Sequence, residues 1–204
     1  MKKFILPAII LVAMAFFGSC TKDAALEGNN NNPGDTTGTG GGGGVKPPIG
    51  VDSVVTFSNL KVGIAPGDPD FGRVLSSYTG LVYPDDAIPD SVGKYINLAL
   101  HYQASFAMAF SSADPNNFDI PIPGVTKTTV RNYVDSSFKV SSFDTLSHAS
   151  TLNKLTVSAD DNETIDAANL PVVVFFKNSD GKRGIIKVKS LSDKYLAVDV
   201  KVMY

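Results

Sequence analysis

The chain has 204 residues, 18 Lys and Arg against 20 Asp and Glu for a formal charge of −2, one cysteine and no tryptophan. A mildly acidic chain lacks the basic face that nucleic-acid binding requires, and a lone cysteine excludes a disulfide framework, so stability must come from packing. Hydrophobic residues make up 43% of the chain, enough to build a single core of ordinary size.

In chain order, the first element is a targeting segment. Met1, Lys2 and Lys3 form a cationic start, residues 4–17 are apolar apart from Pro7, and Gly18 and Ser19 are small. This pattern predicts a signal peptide over residues 1–19, because a membrane-crossing helix needs about 20 apolar residues with anchors on both sides. The order Phe17, Gly18, Ser19, Cys20 resembles the lipobox of bacterial lipoproteins, in the relaxed form of Bacteroidota. The resemblance implies that Cys20 is diacylated through sulfur and becomes residue one. Loss of Lys2 and Lys3 then leaves 16 basic against 20 acidic residues, a balance of −4.

Residues 20–50 read as a tether. The run GNNNNPGDTTGTGGGGG and the following VKPPIG contain hardly any bulky apolar side chain, so they cannot offset the entropy of ordering. A glycine-rich chain of about thirty residues spans roughly 30 Å, which holds a domain clear of the bilayer. Lys22 and Asp23 resemble the short Lys-acidic export signal of Bacteroidota surface lipoproteins. The resemblance implies an outer-membrane protein, lipid-anchored, facing the periplasm or the cell surface, with the surface favoured.

Residues 51–204 predict one β-rich globular domain: a mainly β, antiparallel β-sandwich with a C-terminal three-strand meander and one or two short helices, α+β being the alternative. Strands are expected over residues 53–57, 72–75, 79–83 and 95–102, the last with Ile96, Leu98, Leu100 and Tyr102 on one face and Asn97, Ala99 and His101 on a polar one. Residues 105–110 either continue that strand across a bend or pair beside it. Prolines crowd residues 84–123 and predict ordered loops. Residues 143–155 predict a short helix with Phe143, Leu146 and Ser150 on one side and Ser142 or Asp144 as cap. Residues 171–176 and 183–190 flank Asp180-Gly181 and predict a hairpin. A last strand over residues 195–204 alternates Leu196, Val198, Val200 and Val202 with Ala197, Asp199, Lys201 and Met203.

Chemistry-bearing motifs are few. The chain contains no GxSxG elbow, HExxH, phosphate-cradling glycine loop or CxxC pair, which predicts a protein that is not an enzyme; a hydrolase assembled from scattered Ser, His and Asp is one alternative. His101 and His148 are the only histidines, and imidazole is a haem ligand, so a haemophore-like protein is another. Residues 160–166 and 114–119 carry alternating oxygen ligands, yet both lack the glycine and the bidentate glutamate of a calcium loop and read better as Asx turns. No cofactor is expected, haem and calcium being the alternatives. Glycan capture is the remaining alternative, on Tyr78, Tyr83, Tyr95, Tyr102 or Tyr133. Lys177, Lys182, Arg183, Lys187 and Lys189 cluster on the hairpin; the preferred explanation is a solvated strand edge protected against aggregation, the other an anion-binding patch.

Four tripeptides, at Thr36, Ser53, Ser91 and Thr145, each preceded by Asp, resemble the O-glycosylation acceptor of Bacteroidota, and that resemblance implies modification at those hydroxyls. Asn162-Glu163-Thr164 fits the Asn-linked sequon. The segments TGLVYPDDAIP, KYINLALHY and FFKNSDGKRGIIKV resemble lipoprotein domains of Bacteroidota, most closely over the C-terminal third, and imply a fold neighbourhood and no activity. The expected function is therefore a non-enzymatic, membrane-anchored lipoprotein, an extracytoplasmic binding or accessory module. Its partners are the bilayer, through acylated Cys20, and an external ligand or protein.

Overall fold

In the computed structural model the described residues are 52–103, 107–158 and 164–204, all within one unit, Val45–Tyr204. The signal segment, Cys20, the tether with Thr36, the sequon at Asn162 and Glu163 and the first half of the 160–166 turn lie outside them. No helix among the described residues is long and apolar enough to cross a membrane.

The domain is mainly β, with two antiparallel sheets facing each other. One sheet has five strands in the order β1 (Val54–Gly63), β9 (Tyr195–Met203), β8 (Arg183–Leu191), β7 (Val172–Asn178) and β6 (Thr128–Arg131). The other runs β3 (Val82–Tyr83), β2 (Val74–Leu75), β4 (Leu98–Gln103) and β5 (Ala107–Ser112). Between them lies the main core, in which Leu98, Leu100 and Phe110 of one sheet meet Val174, Phe176, Ile186, Val198 and Val200 of the other. These are the apolar positions of alternating strands, so the side-chain period of two places each row inward.

The meander forms as its sequence dictates. Gly181 takes φ +86° in the β7–β8 turn, Asp180 Oδ1 accepts from the Lys182 backbone N–H at 3.1 Å, and the strands then run in register from Phe176 opposite Gly184 to Val172 opposite Val188. Gly184 is required there: a Cβ would run into the Phe176 ring and the Lys201 carbonyl. The wholly buried Phe176 would cost about 3–5 kcal/mol to truncate to alanine.

Residues 107–112 pair beside β4, Leu98 opposite Ser112 through Tyr102 opposite Met108, the second of the two arrangements the sequence left open. Three expectations change. The face of β4 expected to be polar is covered: Ala99 packs with Val74, Ile96, Phe118 and Ile122, because the proline-bearing segment after β5 folds back across the sheet. The expected single helix is two, α1 (Val140–Thr145) and α2 (Ala149–Leu152), and no side chain caps α1, whose N-cap is Lys139. These helices lie on the outer face of the five-stranded sheet, where Phe143, Leu146 and Leu152 pack on Val173, Phe175 and Ile185; Ser150 is exposed. That layer also buries Lys201, at 8% exposure, on a face read as wet.

The sheets are joined by side chains as well as by the core. Asn132, just after β6, accepts from the Phe110 N–H at 2.7 Å and donates to the Phe110 carbonyl at 2.8 Å, as a strand would. Beyond β6, Asn97 donates to Asn178 Oδ1 at 2.6 Å and to Ser77 Oγ at 2.9 Å, all buried.

Candidate functional site

Three surface hollows and two histidine sites carry the available chemistry. The largest of these three hollows, about 620 Å³, is lined among the described residues by Tyr102, Met108, Leu191, Ala167 and Ala168, with Thr164 and Asp166. Tyr102 and Met108 face each other across the β4–β5 hairpin, Leu191 closes β8, and an isolated bridge ties Met108 to Ile165. Tyr102 and Leu191 pack on the main core, so the wall is continuous with the interior. The Asp166 carboxylate is committed to the 3₁₀ turn Ala167–Asn169, accepting from the Ala168 N–H at 2.9 Å and the Asn169 amide at 2.6 Å. The wall facing the hollow is therefore chiefly apolar.

A second hollow, about 360 Å³, lies on the outer face of the four-stranded sheet among Arg73, His101, Asn116, Asn117, Phe118 and Asp119. Arg73 is 6% exposed; its Nε donates to Asp85 Oδ2 at 2.7 Å, a second nitrogen lies 2.6 Å from the same oxygen, and its guanidinium stacks 4.8 Å from the Phe118 ring centre. Removing either partner would strand a buried charge, which costs far more than the pair contributes. His101 stands edge-on to Phe118, its Nε2 2.7 Å from Ser111 Oγ. Burial, and next the Arg73 charge, hold the imidazole below its ordinary pKa, so it is neutral near pH 7.

His148 occupies a different place. It precedes α2 with extended backbone, rather than sitting within a helix, and its Nδ1 is 3.3 Å from Asp52 Oδ2. Asp52 also accepts from the Ser150 hydroxyl at 3.2 Å. His101 lies outside the four-stranded sheet and His148 among the helices outside the five-stranded one, so no one pocket offers both rings to a haem. At neither site does a described carboxylate, imidazole and hydroxyl form a relay in that order: Ser111 meets His101 with no carboxylate bonded to the ring, and Ser150 meets Asp52 instead of His148.

The Asp114 turn closes on itself, its carboxylate accepting from the Asn116 N–H at 3.0 Å and the Asn117 amide at 2.9 Å, as an Asx turn does. Of the tyrosines considered for glycan stacking, Tyr83 packs on the outer cluster of the four-stranded sheet and Tyr78 is half-buried beside Asp180. Tyr95 lies under the Lys94 ammonium, and Tyr133 is 58% exposed. Among the hydroxyls expected to be glycosylated, Ser91 and Thr145 are exposed, whereas Ser53 is bridged to His148.

The third hollow was not anticipated as a unit. About 240 Å³ in size, it is lined by Lys127, Thr129, Lys177, Asn178 and Ser179. Lys127 and Lys177 meet only because β6 pairs with β7, placing Thr129 opposite Lys177, and β6 carries too short an alternation to be read from sequence. Comparison with family models, with curated proteins and with solved structures finds no match for this chain.

Proposed function

We propose that the chain is a non-enzymatic, membrane-anchored lipoprotein whose β domain binds an extracytoplasmic ligand. The observation that carries the binding role is the 620 Å³ hollow walled by Tyr102, Met108 and Leu191: a concave, chiefly apolar site with a few polar groups at its rim is the usual form of a small-ligand site. The anchoring role rests on Cys20 standing between an apolar leader and a glycine-rich tether. Together they describe a module held to the outer membrane by acyl chains and displayed on a leash, toward the cell surface.

A second reading, glycan capture, is favoured by Tyr102 in that wall, since an aromatic face stacks on the apolar face of a sugar. One experiment separates the two. The full chain, purified in a non-ionic detergent, is followed by thermal unfolding with neutral oligosaccharides in one arm and medium-chain fatty acids in another. A ligand bound only by the folded state raises the melting temperature, and Tyr102→Ala should abolish that rise. Shifts that persist unchanged in the Tyr102→Ala chain would refute the hollow as the site.

A further inference from the structure

The outer face of the five-stranded sheet carries cations of two kinds. Lys187 meets Asp144 at 2.7 Å, Lys189 meets Asp199 at 2.7 Å, and Lys201 donates to backbone carbonyls. Near the β7–β8 turn the pattern differs. Thr129, Lys177 and Arg183 stand in one row across β6, β7 and β8, with Lys127 one residue before β6. Among the described residues no carboxylate forms an ion pair with Lys127, Lys177 or Arg183.

Like charges directly opposite on paired strands repel each other. The protection of a strand edge, expected from the sequence, does not account for Lys177 or Arg183, because β7 and β8 are inner strands of the sheet. Arg183 turns aside, donating to the Asn153 carbonyl at 3.0 Å while its Nε stays buried without a partner. Lys177 is left beside Lys127 at the 240 Å³ hollow, together with Thr129, Asn178 and Ser179.

We infer that this hollow binds an oxyanion group, a sulfate, phosphate or carboxylate, between Lys127 and Lys177. The two ammonium groups supply charge and the Thr129 and Ser179 hydroxyls supply further donors. Lysine is a compact point charge without the fixed fork of arginine, so the site selects charge over shape. The bound anion is the counter-charge that the Lys177–Arg183 pair lacks within the described fold. This goes beyond the apolar hollow: it uses other residues on another face and does not depend on acylation.

The test is a titration of the ¹⁵N-labelled full chain in non-ionic detergent with sodium sulfate, sodium phosphate or sodium acetate, each against sodium chloride at matched ionic strength. The expected result is a saturable shift of the Lys127, Thr129, Lys177 and Ser179 amide signals with the oxyanions only. Lys127→Met and Lys177→Met should each weaken binding by about two- to fivefold, and the double variant should abolish the site-specific shifts. A fourth arm uses a sulfated oligosaccharide: tighter binding than free sulfate assigns the anion to a glycan chain, equal binding assigns it to the free ion, and both support the site. An independent readout needs no ligand. Lys177→Met relieves the repulsion, so it should raise the melting temperature in low salt, with a gain that shrinks as salt is added. Shifts that chloride reproduces, or that the double variant leaves unchanged, would overturn the inference while leaving the Tyr102 hollow untouched.

Discussion

Single side chains decide where this fold is strong, and Lys201 is the clearest case. Its ammonium donates to the carbonyls of Phe143 at 2.8 Å, Asp144 at 3.2 Å and Leu146 at 2.7 Å, at the C-terminal end of α1, where a helix leaves carbonyls without an intrahelical partner; the Phe143 carbonyl also accepts from the Leu146 N–H. The alternation of β9 shows which way Lys201 points but not that α1 will be there to cover it. Lys201→Met should lower unfolding stability by about 1–3 kcal/mol, the cost of orphaning buried acceptors; an unchanged urea midpoint would mean that water replaces the ammonium. Tyr78 gives a pH test. Burial, and then the Asp180 carboxylate, push its phenol from an ordinary 10.0 up to about 12. The unfolded chain therefore loses this proton first, so the stability Tyr78 contributes is complete below pH 10 and falls as pH rises toward about 12. In Tyr78→Phe that part of the decline should vanish, a difference that equilibrium unfolding across this pH range measures directly.

Whole elements were legible where pattern and turn chemistry coincide. β7 and β8 follow from valine and aromatic enrichment around an Asp-Gly turn, β9 from its alternating valines, and β4 from its alternating apolar positions. β1 runs six residues past its expected end, because Asn59 at φ +59° sits in an irregularity between Phe57 and Leu60 that breaks the alternation without ending the strand. β6 escapes notice since Thr128–Arg131 is only four residues long, and its edge is completed by the amide of Asn132. That amide yields an element-scale prediction: Asn132→Ala leaves the Phe110 N–H and carbonyl without their partner across the seam between sheets. The expected loss is about 1–3 kcal/mol, with faster amide hydrogen exchange at Phe110, while β7–β8 exchange stays slow. Uniform acceleration across both sheets would show instead that the seam is not a separate unit. The candidate sites share this dependence on pairing. Lys127 and Lys177 are fifty positions apart and become neighbours through a strand the sequence hides, whereas Tyr102 and Met108 sit on one hairpin whose pairing the sequence left open.

At the scale of the whole molecule, the proposed anchor at Cys20 lies outside the unit Val45–Tyr204 that carries the fold, so attachment and folding can be tested separately. Burying an acyl chain in a bilayer gains about 0.8 kcal/mol per CH₂, and more than one chain turns marginal attachment into stable anchoring. Cys20 is the only thiol, so the attachment has no second route through sulfur. With residues 1–19 replaced by a leader that is cleaved independently of Cys20, Cys20→Ser should therefore move the protein from the membrane fraction to the soluble fraction, and the mass of the mature wild-type chain should show a start at Cys20 and the added acyl groups. The variant's domain should keep its melting temperature, because Cys20 lies outside the unit Val45–Tyr204 that holds the core. The Lys127–Lys177 hollow should likewise bind sulfate equally well in both chains. A leader-free Cys20→Ser protein that stays with the membrane, or a wild-type chain whose Cys20 carries no lipid, would move the whole placement away from acyl anchoring.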